Sequence, residues 1–568
     1  MKQLMLTNQA IALGAYMAGV RVVSSYPGTP STEITECTAK YKEIHSEWAP
    51  NEKVALEVGI GAAVAGARAM VCMKHVGLNV AADPLFTAAY TGVNAGLVVV
   101  VADDPGMHSS QNEQDSRFYA RSAHVPMVEP SDSAEAVEFV RWAYELSEAY
   151  DTPVLLRTTT RIAHAQSMVE DGPREEVPLR PYVKDAPKYT MLPGHAKGRH
   201  LVVEARDAKL KADCNAFAQN RAEMRSTALG VICAGAIYQH VREALPDASV
   251  LKLGMVYPLP MDAIAAFAAK VERLVVVEEL EPFIENQLHA NGIPCEGKSI
   301  FGLQGEITVA DINEKLLGQS RPVPAKVPGR PPLLCAGCPH RGVYYVLHKL
   351  RCVVNGDIGC YTLGALAPLS AVDSVVCMGA SVGMAHGFKY ARPDARNVAI
   401  IGDSTFIHSG ITGLINAVYN HSGITLIILD NRTTGMTGHQ DHPATGLTCM
   451  GDPAPQLDLE AMCRACGVAK VDVVDPYDMA AVEAALKDAL DDRAERVIIA
   501  RRACIMKERP AGATPYAVKD CRGCGKCLGL GCPAIVKEDG KARIDATQCL
   551  GCGLCKEVCP FGCIGERV

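Results

Sequence analysis

Apolar runs separated by polar turns follow one another along most of the chain, and one stretch shows the pattern most clearly. Asn397 to Ile401 is a short β-branched run that ends at a Gly-Asp-Ser turn, which predicts a strand followed by a loop. From Ser409 to Tyr419, apolar residues recur at three- and four-residue spacing, as they do on one face of a helix. Ile424 to Leu429 predicts a second buried strand, so the stretch predicts a βαβ unit with parallel strands.

The same alternation of strands and helices continues on the N-terminal side of this unit. The predicted strands are Arg21 to Val23, Leu97 to Val101, Ala228 to Cys233 and Leu274 to Val277, and the predicted helices are Val54 to Met70, Ala236 to Leu245 and Met261 to Val271. Because this alternation is typical of doubly wound parallel sheets, we expect a multi-domain α/β protein.

Length, composition and charge narrow the class of protein further. A chain of 568 residues has room for three or four domains, each with its own core. With 21% charged residues and a net charge of -7, it offers no basic surface, so we exclude nucleic-acid binding. No apolar run reaches the roughly 18 residues of a membrane span. The N-terminus has the pattern of an amphipathic helix rather than a signal peptide, which predicts a cytoplasmic protein.

The cysteines are concentrated at the C-terminal end, where nine of the 23 follow residue 520. In a chain without a secretion signal, such clustering indicates metal or cluster ligation rather than disulfides. Two CxxCxxC motifs, each followed by a Cys-Pro pair, are typical of ferredoxins in which the last cysteine of each motif completes the other cluster. The predicted ligands are Cys521, Cys524, Cys527 and Cys559 for one 4Fe-4S cluster, and Cys549, Cys552, Cys555 and Cys532 for the other.

Three details of this segment bear on the prediction. Four residues separate Cys527 from Cys532 where three are usual, which predicts a bulge in that loop. Zinc is the alternative ligand, and the pairing of the two motifs argues against it. Cys563 belongs to neither set of ligands, and we interpret it as a thiol of the core.

Asp403 and Asn431 are predicted at the carboxyl ends of neighbouring parallel strands, where open α/β sheets bind ligands. Their oxygens suit Mg2+ that is also bound by phosphates, although an aspartate and an asparagine at such places are common. The turn Gly402-Asp403-Ser404, the helix and Asn431 together resemble the diphosphate-binding motif of thiamine diphosphate enzymes. The resemblance implies Mg2+ ligation by Asp403, Asn431 and the backbone carbonyl of Thr433. Ser404 stands where the motif usually has glycine.

Further stretches resemble one branch of these enzymes, the 2-oxoacid:ferredoxin oxidoreductases. They are the turn Ser25 to Ser31, the CxxC segment Cys335 to Arg341, the glycine loop Met378 to Gly383 and the loop Thr434 to Pro443. The last of them is the most family-specific and is similar to the large subunits of indolepyruvate-type members. The cofactor contacts that the resemblance implies, besides the metal ligands, are Gly379, Ala380, Ser381, Gly402, Ser404, Gly435 and Met436.

The resemblance also implies the catalytic residues. Thr29 would contact the substrate carboxylate, whereas a Pro-rich turn with Ser31 as a helix N-cap is the structural alternative. Glu57, near the start of an Ala-rich helix, would be the buried carboxyl group that acts as general acid/base against the aminopyrimidine. A surface carboxylate that interacts with the helix dipole is the alternative. His75 and Asn79 would polarise the substrate, although a structural histidine is equally expected.

The resemblance also implies a third iron–sulfur cluster. Cys335 and Cys338 form a CxxC motif, which on spacing alone fits zinc, redox or cluster chemistry. Together with Cys360 and Cys504, they resemble the ligands of a 4Fe-4S cluster beside the thiamine in the family. The alternative is that indolepyruvate-type members use this segment for phosphate contacts and folding, and both interpretations stay open at this point.

The resemblance covers the whole chain in the domain order of the family. It implies a pyrimidine-binding domain at 1–185, a transketolase C-terminal-like domain at 186–320, a diphosphate-binding domain at 321–512 and a two-cluster ferredoxin domain at 513–568. A Pro-rich linker over 321–332 opens the third of these.

The function implied is oxidative decarboxylation of arylpyruvates, such as indolepyruvate, to aryl-acetyl-CoA. The implied cofactors are thiamine diphosphate, Mg2+ and two or three 4Fe-4S clusters. The implied partners are coenzyme A, an external ferredoxin and a smaller β subunit that carries the family's remaining catalytic domain, in a heterotetramer of two large and two small subunits.

Three alternatives remain. The same chemistry can act on another 2-oxoacid. A non-oxidative thiamine-dependent decarboxylase would have no use for the ferredoxin module, which argues against it. An electron-transfer or scaffold subunit with a degenerate thiamine site is opposed by the joint presence of Glu57, Asp403 and Asn431.

Overall fold

The computed structural model describes residues 2–320, 329, 331–492, 494–509 and 513–566. It divides into two compact units, Met1–Ala325 and Lys326–Val568. Most of the predicted Pro-rich linker, at 321–328 and 330, lies outside the described residues.

The first unit alternates strands with helices, as its sequence pattern predicts. Its strands are β1 (Lys2–Leu6), β2 (Val22–Ser25), β3 (His45–Trp48), β4 (Ala69–Lys74), β5 (Leu97–Asp103), β6 (Met127–Val128), β7 (Val154–Thr159), β8 (Gln166–Glu170), β9 (Arg221–Glu223), β10 (Ser226–Ala234), β11 (Ala248–Leu253), β12 (Met255–Tyr257) and β13 (Leu274–Val277). Its helices are α1 (Thr7–Met17), α2 (Thr32–Thr38), α3 (Glu52–Val64), α4 (His75–Val80), α5 (Ala82–Thr91), α6 (Arg117–Ala123), α7 (Ser133–Tyr150), α8 (Thr160–Ala163), α9 (Ala186–Tyr189), α10 (Pro193–Asp213), α11 (Ile237–Ala244), α12 (Met261–Ala268), α13 (Phe283–Ala290), α14 (Lys298–Phe301) and α15 (Val309–Leu317).

The main sheet of this unit has the strand order β12-β6-β7-β5-β4-β2-β3. It is parallel except for β12, which pairs antiparallel with β6. Alternate residues of β4 enter different cores: Met70 and Cys72 share one with α1 and α7, while Val71 and Met73 share the other with α3 and α5. Helices therefore cover both faces, which confirms the predicted doubly wound α/β class.

A smaller sheet in the same unit has the order β13-β10-β11-β9. The short strand β12 lies next to β11 in sequence but joins the main sheet instead. One apolar core contains Leu85 and Val99 together with Leu251 and Phe283. The same apolar core thus contains residues from both sides of residue 185, and the domain boundary there stays a prediction.

The second unit contains another parallel sheet and the cysteine-rich segment. Its strands are β14 (Val353–Asn355), β15 (Asn397–Gly402), β16 (Thr425–Asp430), β17 (Lys470–Val474), β18 (Arg496–Arg501), β19 (Tyr516–Val518), β20 (Ile535–Glu538), β21 (Lys541–Ile544) and β22 (Ile564–Glu566). Its helices are α16 (His340–Leu350), α17 (Ala380–Ala391), α18 (Asp403–Thr405), α19 (Ile411–Tyr419), α20 (Leu459–Ala465), α21 (Met479–Asp491) and α22 (Leu554–Glu557).

The sheet of the second unit has the order β14-β15-β16-β18-β17 and is parallel throughout. Val398 and Ile400 face one core, and Ala399 and Ile401 face the other. The first of these cores continues into the cysteine-rich segment, where it includes Leu554. The ferredoxin-like part therefore packs on the sheet that precedes it.

Two predicted helices differ from the observed ones. The helix predicted from Ser409 begins as a π-helical turn over Phe406–Gly410, and α19 starts at Ile411. The helix predicted over Val54 to Met70 ends at Val64, because Gly66 adopts a left-handed φ of 98° and the chain then enters β4. Among the described helices, none combines the length and the apolar character that a membrane span requires.

Candidate functional site

Two predicted metal ligands lie side by side at the carboxyl edge of the second unit's sheet. β15 and β16 pair in parallel along their length, so Asp403 and Asn431 follow neighbouring strands directly. The buried Asp403 carboxylate accepts hydrogen bonds from the backbone N–H of Ser404 at 2.8 Å and of Arg432 at 2.7 Å. These donors fix the orientation of the carboxylate at the edge.

Two buried histidines stand beside this pair of side chains. His442 Nε2 lies 3.3 Å from Asp403 Oδ2. The Asn431 amide nitrogen lies 3.4 Å from His340 Nε2 and donates to it. Burial lowers the pKa of His340 to about 4, against the opposing effect of Asp403, so the ring is neutral at pH 7 and can accept. Both histidines lie in stretches that resemble the family, Cys335 to Arg341 and Thr434 to Pro443, but the sequence did not predict a role for either of them.

The loop that follows Asn431 contacts Ser404, the residue that stands where the motif usually has glycine. The Thr433 backbone N–H donates to Asn431 Oδ1 at 3.2 Å, which turns the chain at this point. Thr434 Oγ1 then donates to Ser404 Oγ at 3.0 Å. The hydroxyl that stands in place of the usual glycine is therefore held by the loop itself.

The glycine loop before α17 is already capped by a carboxylate of this chain. The Asp357 side chain accepts the backbone N–H of Gly379 at 2.8 Å and of Ser381 at 3.0 Å. The Ala380 N–H donates to the Cys377 carbonyl at 3.1 Å. Burial raises the pKa of Asp357, and the backbone donors oppose that rise. The three N–H groups expected to face a diphosphate thus donate to groups of this chain, and no motif predicted the part of Asp357.

Gly435 and Met436 follow Thr434 in a loop that turns back on itself, with the Thr434 N–H donating to the Gln440 carbonyl at 3.0 Å. A Cβ atom on Gly435 would lie 3.3 Å from Cys360 Sγ. Met436 is exposed. The structure therefore places Gly435 between the metal-binding edge and Cys360, where a larger residue would crowd the thiol.

The four cysteines of the predicted third cluster occupy one neighbourhood. The Cys504 N–H donates to the Asn431 carbonyl at 2.9 Å, which places Cys504 beside the metal-binding edge. Burial raises the pKa of Cys360 to about 11, and the nearby thiols of Cys504 and Cys335 add to the rise. Burial likewise raises the pKa of Cys338 to about 12, to which Cys335 and Cys360 contribute. Cys360 thus interacts electrostatically with each of the other three thiols, and the third cluster stays a prediction.

The C-terminal segment encloses two cavities walled by cysteines. One is also lined by Ala336 and Gly337 of the CxxC loop, and we call it the inner cavity. The other, which Val518 and Ile564 also line, is the outer cavity. Each combines three cysteines of one motif with the last cysteine of the other: Cys549, Cys552, Cys555 and Cys532 line the inner cavity, and Cys521, Cys524, Cys527 and Cys559 line the outer.

Two observations refine this arrangement. A short 3-10 helix, Lys526–Leu530, accommodates the extra residue before Cys532, and Cys563 lines the outer cavity beside the four predicted ligands. Within the described residues, no three His, Cys, Asp or Glu side chains converge as closely as one shared metal ion requires. In a 4Fe-4S cluster each cysteine binds a different iron, so its ligands stand further apart.

Other predicted residues lie at the carboxyl edge of the first unit's main sheet. Thr29 follows β2 and His75 follows β4. Lys74, the last residue of β4, donates from Nζ to the Ser109 carbonyl at 2.5 Å, and Ser109 Oγ donates to the Thr29 carbonyl at 3.4 Å. Burial lowers the pKa of Lys74 to about 8, and Asp104 opposes that change. Sequence reasoning missed this buried cation, because a lysine at a strand end is usually solvated.

His75 and Asn79 differ in what they can offer a ligand. His75 is buried, and neither ring nitrogen makes a well-formed hydrogen bond within the described residues. Burial lowers the pKa of His75, against the effect of Asp103. Asn79 is exposed, and its amide oxygen accepts from the Tyr119 hydroxyl at 2.5 Å. Of the two, His75 keeps its polar atoms available.

Glu57 does not meet the requirement for a buried carboxyl group. Its side chain is 45% exposed and pairs with Lys53 one helical turn earlier. Glu52, the first residue of α3, is only 5% exposed. Its carboxylate packs against α4, since a Cβ atom on Gly77 would lie 2.5 Å from Glu52 Oε1. Of these two carboxylates, only Glu52 is buried within the chain, and the role of general acid/base stays a prediction.

Known families match three parts of the chain. Residues 13–225 match the thiamine diphosphate-binding region of pyruvate flavodoxin/ferredoxin oxidoreductases. Residues 357–500 match the C-terminal TPP-binding domain of thiamine pyrophosphate enzymes. Residues 542–565 match the 4Fe-4S binding domain. The metal-binding edge and the inner-cavity cysteines Cys549, Cys552 and Cys555 lie within the last two regions.

Curated relatives match nearly the whole length. Indolepyruvate oxidoreductase subunit IorA of Archaeoglobus fulgidus is 39% identical over 98% of this chain and 96% of that protein. The same subunit of Methanothermobacter marburgensis is 41% identical over 99% of this chain and 96% of that protein. The chain belongs to the indolepyruvate oxidoreductase subunit IorA family. Membership of the IorA family confirms the predicted enzyme class, a thiamine diphosphate-dependent 2-oxoacid:ferredoxin oxidoreductase with iron–sulfur clusters.

A solved structure shows a more distant similarity to this IorA-family chain. It is a 2-oxoglutarate:ferredoxin oxidoreductase from Magnetococcus marinus with 2-oxoglutarate, coenzyme A and succinyl-CoA bound. The similarity covers 56% of this chain and 65% of that chain, with 18% identity and a TM-score of 0.48.

Proposed function

We propose that this chain is the larger subunit of an enzyme that converts arylpyruvates, indolepyruvate among them, to aryl-acetyl-CoA and CO2. The electrons leave through the cysteine-lined sites to an external ferredoxin. The names of the relatives, which specify indolepyruvate, support the choice of substrate.

The observation that carries the proposal is the composition of the inner cavity. Ala336 and Gly337 of the CxxC loop line it together with four cysteines of the ferredoxin-like part. The same CxxC segment leads into His340, which contacts Asn431 at the metal-binding edge. An electron path beside this edge is what an oxidative reaction requires, and simple decarboxylation has no need of one.

We assign the Mg2+ ligands to Asp403, Asn431 and the backbone carbonyl of Thr433. The set fits the ion, because a buried carboxylate and an amide oxygen at one edge leave further positions for phosphate oxygens. Gly402, Ser404, Gly435 and Met436 are the proposed neighbours of the diphosphate. Gly379, Ala380 and Ser381 serve it indirectly, because their N–H groups hold Asp357 and Cys377.

The residues of the first unit act on the organic part of the reaction. Thiamine diphosphate, when bound, supplies the nucleophile for the 2-oxo carbon and the electron sink that lets CO2 leave. We assign the carboxyl group that exchanges a proton with the aminopyrimidine to Glu52 in place of Glu57, because it alone of the two is buried. Thr29 and His75 are the proposed substrate contacts, with Asn79 at the exposed rim.

We propose three clusters. The inner and outer cavities each suit a 4Fe-4S cluster, because each is lined by three cysteines of one motif and the last cysteine of the other. The third is assigned to Cys335, Cys338, Cys360 and Cys504, because Cys360 interacts electrostatically with each of the other three thiols. Iron and acid-labile sulfide per purified chain separate three clusters from two, and Cys360→Ser is expected to remove one cluster and leave the other two.

The partners follow from the family. The relatives are named as subunits, which supports a smaller β subunit that carries the remaining catalytic domain. We propose a heterotetramer of two large and two small chains, with coenzyme A and ferredoxin as co-substrates. Mass measurement of the co-expressed, co-purified complex tests this stoichiometry.

The test of function is anaerobic reduction of a viologen dye by the co-expressed complex. Indolepyruvate, phenylpyruvate and pyruvate are compared, each with and without coenzyme A. Strong CoA-dependent reduction with both arylpyruvates and weak reduction with pyruvate is the expected result. Aldehyde formation without dye reduction would show the non-oxidative decarboxylase instead, and faster reduction with pyruvate would overturn the aryl preference.

A further inference from the structure

Arg341, the second residue of α16, lies between the CxxC loop and the inner cavity. It is only 2% exposed. Its Nε donates to the Cys335 carbonyl at 3.1 Å, its Nη1 donates to the Leu530 carbonyl at 2.7 Å, and its Nη2 donates to the Leu334 carbonyl. The guanidinium fork thus joins the CxxC loop to the first ferredoxin motif across the wall of the inner cavity.

The charge of Arg341 faces sulfur on two sides. Within the described residues, its hydrogen-bond acceptors are neutral carbonyls, so these contacts orient the guanidinium and do not neutralise it. A guanidinium stays protonated in proteins, even when buried. It interacts electrostatically with Cys335 and Cys338 on the side of the CxxC loop and with Cys532 and Cys552 on the side of the inner cavity.

The two cavities differ in whether Arg341 lines them. Arg341 lines the inner cavity, and a Cβ atom on Gly531 would lie 3.3 Å from its Nη1. The residues that line the outer cavity all follow Tyr516 in the chain, and Arg341 is not one of them. A cluster in the inner cavity therefore lies between the CxxC loop and the outer site.

We propose that Arg341 is a positioning residue for electron transfer, which holds the CxxC loop against the inner cavity and raises the reduction potential of the cluster bound there. The physical reason is that reduction adds one negative charge to a cluster, and a fixed positive charge nearby in a protein interior favours the reduced form. The inner cluster is thus the first acceptor in the ferredoxin-like part, and the outer cluster receives its electrons second.

The electrons balance within the proposed function, on which this inference rests. A 2-oxoacid anion and coenzyme A give acyl-CoA, CO2, one proton and two electrons. With clusters bound at the CxxC loop, in the inner cavity and in the outer cavity, the two electrons would leave one at a time in that order and end on an external ferredoxin. Arg341 forms and breaks no covalent bond in this sequence.

The test compares Arg341→Gln and Arg341→Lys with the unchanged complex, in an anaerobic redox titration followed by electron paramagnetic resonance. Arg341→Gln removes the charge, so the ratio of reduced to oxidised inner cluster at a fixed potential should fall about tenfold, or about 59 mV for one electron. The outer cluster should keep its potential. Arg341→Lys should keep most of the inner potential but slow the reduction of the clusters by substrate, because it lacks the fork.

Lys349→Gln is the matched control. This lysine lies on the same helix and loses the same charge, but its side chain is 57% exposed and pairs with Glu483. Both cluster potentials should stay unchanged in this variant. An equal shift in Arg341→Gln and Lys349→Gln, or an unchanged inner potential in Arg341→Gln with full iron content, overturns the proposal.

If Arg341→Gln loses iron, Arg341→Lys becomes the variant that tests the proposal. Its shorter side chain shifts the charge away from the cavity wall, so a smaller fall in the inner potential and slower reduction by substrate are expected. Wild-type values for both would overturn the proposal. Because the titration uses chemical reductants, a failed arylpyruvate assignment leaves the potentials intact, whereas absence of clusters from the unchanged complex would overturn both inferences.

Discussion

Each unit places polar side chains at the carboxyl edge of a parallel sheet, but the two edges hold their charges differently. In the second unit, backbone N–H groups of Ser404 and Arg432, both within the Gly402 to Thr433 motif, hold Asp403. In the first unit, Lys74 is bound by a distant loop through Ser109, and Arg157 pairs with Asp103 in the interior. An edge held by backbone donors within one motif can be recognised from that motif, whereas an edge held by side-chain contacts outside any motif cannot.

The largest expected effect is at the edge of the second unit. Asp403→Ala removes a metal ligand, and its effect should exceed the roughly 10- to 100-fold loss that is typical of outer partners of a metal site. We expect thiamine diphosphate binding in the presence of Mg2+ to weaken by more than about 100-fold, as measured by calorimetry on the purified complex. Asp394→Ala, an exposed aspartate just before β15, is the control and should bind normally. Normal binding in Asp403→Ala would remove the metal site from this edge.

The next effect separates two carboxylates on one helix. Glu52→Gln should lower kcat by about 100-fold or more with little change in cofactor binding, because it removes a general acid/base. Glu57→Gln should stay within about twofold of the unchanged enzyme, because it alters only an exposed ion pair. Viologen reduction at saturating substrate gives both values. The reverse order would restore Glu57 to the role that the sequence suggested.

The contrast between these two residues shows what the sequence determines. The motif from Gly402 to Asn431 is one βαβ unit, so its geometry follows from local pattern, and the structure places Asp403 and Asn431 at the ends of neighbouring strands. The cysteine spacing likewise predicts which thiols share a cavity. Glu52 and Glu57 lie on a helix of small and apolar residues, where no periodicity marks the buried face. Glu52 is buried because it packs against α4, and a sequence pattern does not show this tertiary contact.

Asp357 makes the same point for the second unit. The expected backbone donors at Gly379 and Ser381 are present at a helix start, as the glycine loop indicates, but a carboxylate that follows β14 takes them. A sequence pattern shows that a helix start offers N–H groups; it does not show which side chain reaches them first.

A smaller effect tests how the first unit holds its edge. Arg157 Nε lies 2.7 Å from Asp103 Oδ2 and Nη1 lies 2.6 Å from Glu129 Oε1, with all three side chains buried. Arg157→Met leaves two buried carboxylates without their partner, which should cost about 3 to 5 kcal/mol. The midpoint of thermal unfolding should fall by several degrees. Arg161→Met, which breaks an exposed pair with Glu306, should cost about 0 to 1 kcal/mol, and an equal fall in both variants would contradict the comparison.

The smallest effect concerns the buried cation at the same edge. Burial lowers the pKa of Lys74 from 10.5 to about 8, so between these values the unfolded chain holds a proton that the folded chain has released. Stability from this group therefore rises with pH across that window, and its burial is least favourable below pH 8. Relative to the unchanged protein, Lys74→Met should have its highest unfolding midpoint near pH 7 and lose this advantage toward pH 10. Lys349→Met, whose lysine is exposed, should show a pH-independent difference. A constant difference for Lys74→Met would mean that Lys74 keeps its charge through the whole range, and the first unit's edge would then carry a permanent cation.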